Sequence, residues 1–254
     1  MTTTTMNNSN GHFEAKNAIA LVTGANRGIG RAYAEQLAQA GASAVYAAAR
    51  DLASLEDLVK AYPAIIPVHL DVTDPHSIAE VGSRARDVNL LVNNAGVAQV
   101  GGITARDSFE DARREMEVNY FGLLAMSRAF APILVANAPS AMVNLLSIAS
   151  LMGSPRLGTY GASKAAALSA TRTIRAELAP KRVHVLGVMP GFVDTDLTAG
   201  FDVEKIPASE VVDATFAALA AGQEEVYPGA QATQFADAFF SNHQTLEKRL
   251  ASFV

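Results

Sequence analysis

The chain has 254 residues, half of them hydrophobic, enough for one large α/β domain with a sizeable core. Its formal charge is −5, with acids and bases interspersed and no Lys/Arg block, so neither nucleic acid nor a membrane surface is expected as a partner. It contains no cysteine, which excludes disulfides, thiolate metal sites and cysteine nucleophiles and fits a reducing, cytoplasmic setting.

Residues 1–16 open on a polar stretch, Met1 to Gly11, that lacks the apolar segment of a secretory signal; they are expected to form a disordered tail. From residue 17 onward, Ile19–Thr23 is a short apolar run ending in Gly24-Ala25-Asn26-Arg27-Gly28-Ile29-Gly30, and an amphipathic stretch follows to Ala40. That order reads as strand, glycine turn, helix. Ala44–Ala49 is a second strand, with a helical segment from Leu52 to Ala61, and Ile65–Leu70 is a third. Asp74-Pro75 then starts a helix, with proline at the first position. Asn89–Asn93 is the fourth strand, a long helical region covers Ser108 to Ala136, and Ala141–Leu146 is the fifth.

An Ala-rich helix is predicted from Thr159 to Leu178, and Val183–Met189 is the sixth strand. A loop over about 191–208, a helix near Ser209–Ala221 and a short strand at Glu225–Tyr227 follow, then a helical extension over 230–254. Phe235, Ala238, Phe239, Leu246 and Leu250 give that extension an apolar stripe, which most simply packs on the core. No apolar run approaches the roughly 20 residues of a membrane span. The strands are continuous apolar runs, as expected when helices cover both sheet faces. With no internal repeat and no linker-like stretch, the expected architecture is a single doubly wound, mostly parallel α/β domain of Rossmann type over 17–254.

In such a sheet the first βα turn is the natural pyrophosphate site, because glycines admit the ligand to the backbone and the next helix aims its N–H groups at the anion. Thr23-Gly24-x-x-x-Gly28-x-Gly30 stands at that place, one spacing away from the common Gly-x-Gly-x-x-Gly. Selection for NAD wants a carboxylate at the end of the second strand, yet here Ala49 is followed by Arg50. Arg27 lies in the turn itself, and two guanidiniums near the adenosine ribose suit a 2′-phosphate. NADPH is therefore expected over NADH.

Tyr160 and Lys164 lie one helical turn apart at the head of the Ala-rich helix. An ammonium near a phenol favours phenolate, so the Tyr160 pKa is expected to fall from about 10 towards working pH. Such a tyrosine exchanges protons with an alcohol or a developing alkoxide. Alone, such a pair is more often a packed ring beside a solvated charge. The five histidines show no metal-ligand spacing, so no metal is expected.

Taken in order, the motifs resemble the short-chain dehydrogenase/reductase family in its compact single-domain branch, over about residues 17–200. They are Thr23-Gly-Ala-Asn-Arg-Gly-Ile-Gly30, Asp71-Val72 after the third strand, Asn93-Asn-Ala-Gly96 after the fourth, and Asn119 within the long helix. Ser147 closes the fifth strand, Tyr160-x-x-x-Lys164 follows, and Pro190-Gly191 with Thr195 ends the sixth. The resemblance implies a catalytic set of Asn119, Ser147, Tyr160 and Lys164. Tyr160 would be the general acid in reduction and the base in oxidation, and Lys164 would also bind the nicotinamide ribose. Ser147 would donate to the substrate oxygen, and Asn119 would hold a water that returns protons to Lys164. A serine at Ser147, near Ser150, reads on composition alone as a turn residue. Cofactor contacts are implied for Gly24, Asn26, Arg27, Gly28, Ile29, Gly30, Arg50, Asp71 and Val72. Asn93, Ala95, Gly96, Tyr160, Lys164, Pro190, Gly191, Val193 and Thr195 complete that set, Thr195 on the carboxamide of the nicotinamide.

Leu151, Met152, Leu157, Phe192, Leu197 and Phe201 are expected to line an apolar substrate pocket, the last three on a mobile lid. Between Gly191 and Glu204 there is no Arg or Lys; Arg156 is the nearest cation. The expected reaction is reversible reduction of a neutral, largely apolar ketone or aldehyde to the alcohol. An NAD-dependent alcohol dehydrogenase working oxidatively and a non-catalytic dinucleotide-binding regulator on the same scaffold are the alternatives. Gly-x-Ser-x-Gly does not occur, which disfavours a hydrolase. The family implies homo-oligomers, dimers or tetramers, built on the long helix and the Tyr160 helix, and the C-terminal extension puts that assembly in question.

Overall fold

The computed structural model describes residues 13–104 and 108–251. Seven strands form one sheet: β1 (Ile19–Thr23), β2 (Ala44–Ala49), β3 (Ile65–His69), β4 (Leu90–Asn93), β5 (Ser140–Leu145), β6 (Val183–Val188) and β7 (Glu225–Val226). Their order is β3-β2-β1-β4-β5-β6-β7 and each ladder is parallel. The order reverses between β1 and β4, so a crevice opens beyond the carboxyl ends of those two strands, where doubly wound sheets bind ligands.

Alternation along the strands divides the core into two layers. Ala20, Val22, Leu90 and Val92 face one side, where they meet α1 (Gly28–Gln39) and α7 (Ala208–Ala220) through Tyr33, Leu37, Val211 and Leu219. Leu21, Leu91 and Met142 face the other, against α3 (Pro75–Arg84) and α5 (Leu123–Ala136) through Ile78, Val81, Met126 and Phe130. All are buried, and each large side chain removed from water contributes about 1.5–3 kcal/mol. Tyr33 Oη and Thr215 Oγ1 lie 2.6 Å apart, joining α1 to α7 with the one polar contact the phenol needs there.

Four differences from the sequence-based expectation have physical causes. Residues 1–12 of the expected tail lie outside the described residues, but Phe13 is buried in the core and Ala15 packs against it, so 13–16 belong to the fold. The segment expected as helix over Leu52–Ala61 begins as a 3₁₀ turn, Leu52–Leu55, capped by Asp51, and only Glu56–Ala61 is α-helical (α2). The long helix is interrupted: α4 (Glu110–Met116) passes into π-helical turns at Glu117–Gly122 before α5. There Gly122 lies so close to Val72 that an added Cβ would stand 2.9 Å from its Cγ2. Finally, α8 (Ala230–Ala251) breaks at Asn242, whose side chain accepts from Thr245 N at 3.0 Å and so caps a new start. The faces α8 buries are Ala232, Ala236 and Leu246.

The run Glu110–Ala136 is long and apolar enough by composition to cross a membrane. Its Met126, Phe130 and Leu134 are core residues against the sheet, which accounts for the apolar pattern.

Candidate active site

The crevice begins at the turn between β1 and α1. Gly24 and Gly28 have φ of +66° and +53°, conformations that side chains resist. Gly30 starts the helix so close to the turn that an added Cβ would stand 2.1 Å from Gly24 O and 2.4 Å from Asn94 Nδ2. No side chain caps the N-terminus of α1, which leaves its first N–H groups for an anion. Asn26 is half-buried in the turn, and Ile29 packs on the core.

The turn is fastened to the loop after β4. Thr23 Oγ1 accepts from the N–H groups of Asn94 and Ala95, each at 2.9 Å, and Asn94 Nδ2 donates to Thr23 O at 2.8 Å. Thr23 and Asn94 are thus site-building residues that spacing alone did not single out. The side chain of Asn93, expected beside the cofactor, is buried: it donates to Asn144 Oδ1 at 2.9 Å, and Asn144 donates to Thr171 Oγ1 at 3.0 Å. The residue still lines the crevice with Thr23, Val72, Ala95, Asn119 and Lys164. Ala95 and Gly96 do remain at the crevice, Gly96 so near that a Cβ there would stand 3.2 Å from Asn119 Oδ1 and 3.5 Å from Lys164 Nζ.

Around the adenosine end, Val72 is buried and Asp71 accepts from Thr73 N at 2.9 Å. That hydrogen bond, with Arg50 nearby, holds the Asp71 carboxyl below its usual range. Arg50 is exposed. Arg27 does not converge with it: Arg27 Nη1 pairs with Asp196 Oδ2 at 3.0 Å, bridging the glycine turn to the lid. An exposed guanidinium takes the nearest carboxylate, and the lid supplies one.

The reacting end is made by α6 (Gly158–Leu178) and the loop after β5. Ser147 caps the short turn Ile148–Ser150, accepting from Ala149 N at 3.1 Å, while Ser150 Oγ accepts from Ser147 N at 3.2 Å. The cap fixes the Ser147 hydroxyl at the end of β5, and the turn it caps packs against α6, which carries Tyr160. Lys164, buried one turn on, donates to Leu145 O at 2.8 Å, with Nζ 5.9 Å from the Tyr160 ring centre. Asn119 completes the set: Nδ2 donates to Val97 O at 2.8 Å and to Ser163 Oγ at 2.9 Å, and Oδ1 accepts from Val97 N at 2.9 Å. With both amide hydrogens committed to protein, its side chain clamps the segment at Val97 to α6, and only its carbonyl oxygens are left to accept from a water.

The electrostatics differ from the expected tuning. Burial pushes the Tyr160 phenol up to about 12; the Ser147 hydroxyl lowers it in part, and the charge of Glu115 raises it. Burial likewise takes the Lys164 ammonium down to about 8. In a site this dry, desolvation sets the direction for both groups.

Pro190 O accepts from Ile148 N at 3.0 Å, and Gly191 sits where a Cβ would stand 2.9 Å from Gln231 Oε1 of α8. Gln231 also accepts from Phe192 N at 3.4 Å. The side chain of Val193 is buried in the core, and its backbone pairs with Ile206 at the base of the 191–208 loop. Thr195 rests on the glycine turn, its Cγ2 3.1 Å from where a Gly28 Cβ would be.

Of the expected pocket residues, Leu151, Met152 and Leu157 are half-buried near Ser147 and Tyr160. Phe192 and Phe201 lie 5.1 Å apart, ring to ring, and Arg156 stacks over Phe201 at 4.8 Å. Leu197 is 46% exposed and stands away from them. The structure adds Val100 and Ile103, both exposed, on a segment that hydrogen-bonds the start of α6: Gly101 N donates to Arg156 O at 2.8 Å.

Residues 18–205 match the short chain dehydrogenase family. A short chain dehydrogenase from Burkholderia cenocepacia J2315, solved in complex with NADP, is 43% identical with a TM-score of 0.90, covering 94% of this chain and 99% of that one. The 1-deoxy-11-beta-hydroxypentalenate dehydrogenase of Streptomyces avermitilis is 33% identical over 87% of this chain and 88% of its own. A bulky-bulky ketone specific alcohol dehydrogenase from Comamonas testosteroni is 26% identical with a TM-score of 0.76, covering 90% and 93%. Glycine cradle, crevice and buried Tyr160–Lys164 pair agree with these likenesses, and the chain belongs to the short-chain dehydrogenase/reductase family of nicotinamide-dependent oxidoreductases.

Proposed function

We propose that the protein reduces a neutral, largely apolar ketone or aldehyde to the alcohol, with NADPH preferred over NADH. The observation that carries this reading is the buried Tyr160 phenol, whose proton burial retains, one helical turn from the buried Lys164. A phenol that stays protonated at neutral pH is an acid in waiting, which suits reduction.

The crevice fits a dinucleotide: Gly24, Gly28 and Gly30 clear the backbone for a pyrophosphate, and the uncapped α1 N-terminus faces it. Arg27 and Arg50 would supply charge for a 2′-phosphate, Arg27 after leaving Asp196. Lys164 and Tyr160 would hold the nicotinamide ribose, and Thr195 its carboxamide. When bound, reduced nicotinamide supplies a hydride to the carbonyl carbon. Ser147 Oγ–H donates to the carbonyl oxygen as negative charge grows there, stabilising the transition state rather than the ground state. Tyr160 Oη gives that oxygen its proton, and the alcohol leaves. Phe192, Phe201, Leu157 and Met152 exclude water on the apolar side. The family membership and the likeness to a ketone-specific relative support the substrate class.

The test is a panel of aryl and aliphatic ketones with either cofactor, read as loss of reduced-nicotinamide absorbance. kcat/KM is expected to be at least about tenfold higher with NADPH, a difference of about 1.4 kcal/mol. Tyr160→Phe keeps the ring and removes the proton donor, and its kcat is expected to fall about 100- to 10,000-fold. A higher kcat/KM with NADH would overturn the cofactor preference, and surviving turnover in Tyr160→Phe would remove that residue from its role.

A further inference from the structure

Among the described residues, Glu115 is the one fully buried carboxylate, and Lys164 the one buried ammonium. Lys164 has a role in the reading above, whereas Glu115 has none. Its Oε1 accepts from the backbone N–H of Gln99 at 2.7 Å, and its Oε2 is buried with no hydrogen-bond partner.

Glu115 stands one helical turn before Asn119, which binds Val97 through both backbone groups. The next alternate residue after Gln99, Gly101, is bound from the other side: it donates to Arg156 O at 2.8 Å and accepts from Gly158 N at 3.3 Å. Val97, Gln99 and Gly101 are thus gripped at the two-residue period of an extended chain, between α4 and the first turn of α6.

The geometry points to Glu115 as a positioning residue of the reduction site, one that fixes the 97–101 wall of the substrate pocket through the Gln99 backbone. This rests on the reading of the crevice as a reduction site.

Glu115→Gln keeps an acceptor for Gln99, and its KM for whichever panel ketone turns over fastest is expected to stay within about twofold of the unaltered enzyme. Glu115→Ala loses the acceptor, and its KM for that ketone is expected to rise about tenfold, more than its kcat changes. In the unaltered protein the Gln99 amide is expected to exchange with deuterium at least about 100-fold more slowly than an open loop amide. A KM in E115A that matches the unaltered enzyme would overturn the positioning role. Rapid Gln99 exchange would overturn the clamp without any variant having to fold. Tyr160→Phe, assayed alongside, separates the two claims: an inactive variant beside an unmoved E115A KM sinks this inference and leaves the proposed function standing.

Discussion

The two ends of the crevice are built from different materials. The Gly24–Gly30 turn works through backbone and space: positive-φ glycines, an uncapped helix start and a 2.1 Å gap that leaves no room for a Cβ. The Ser147–Tyr160–Lys164 end works through buried side chains whose ionisation is set by how dry they are. Spacing in the chain specifies the first almost completely, because glycine positions are themselves the geometry. It specifies the second only as a list of groups, because desolvation depends on everything packed around them.

Gly30→Ala breaks the contrast most severely at the backbone end. The new Cβ has to displace Gly24 O, so dinucleotide affinity is expected to fall about 100-fold, with about 1–3 kcal/mol of stability lost. Isothermal titration with NADPH and a thermal melt measure both. Unchanged affinity would mean that the turn is not where the pyrophosphate binds.

Lys164 sharpens the other side. Burial lowers its ammonium to about 8, so its charge is present below that pH and is lost as pH rises through it. The NADPH Kd is expected to weaken by about three- to tenfold between pH 7 and 9. Lys164→Met is expected to bind more weakly throughout and to show no such slope. A parallel slope in the variant would place the titrating group elsewhere.

The smallest effect belongs to the link between the two ends. Arg27 and Asp196 are 68% and 73% exposed, and an exposed pair contributes only about 0.2–1 kcal/mol. Asp196→Asn frees Arg27, and NADPH is expected to bind up to about fivefold tighter while NADH changes less. Equal changes for both cofactors would remove Arg27 from recognition of the 2′-phosphate.

The succession of strands and helices along the chain was legible because most strands are apolar runs, and the glycine turn and Ser147 because each follows a strand end. Other features had no signature in the chain. The π turns at Glu117–Gly122 arise from the close approach of Gly122 to Val72, a contact between distant segments. Asn93 and Asn94 look alike in sequence, and only the direction of the strand end sends one into the Asn144 network and the other onto Thr23. Glu115 had a faint signal, an acid one turn before Asn119 on the same helical face. Gln231 had none, since its place against Gly191 depends on how α8 docks. The Tyr160 expectation failed in sign for a simpler reason: the neighbouring ammonium was visible, and the absence of water was not.

That reversal is the central claim, and a titration of Tyr160 itself tests it most directly. Carbon-13 NMR of ring-labelled tyrosine, with Tyr160→Phe identifying the resonance, should show Tyr160 still protonated at about pH 10, since burial holds its pKa near 12. Ionisation below about pH 9 would show that the Lys164 charge, and not burial, governs the phenol.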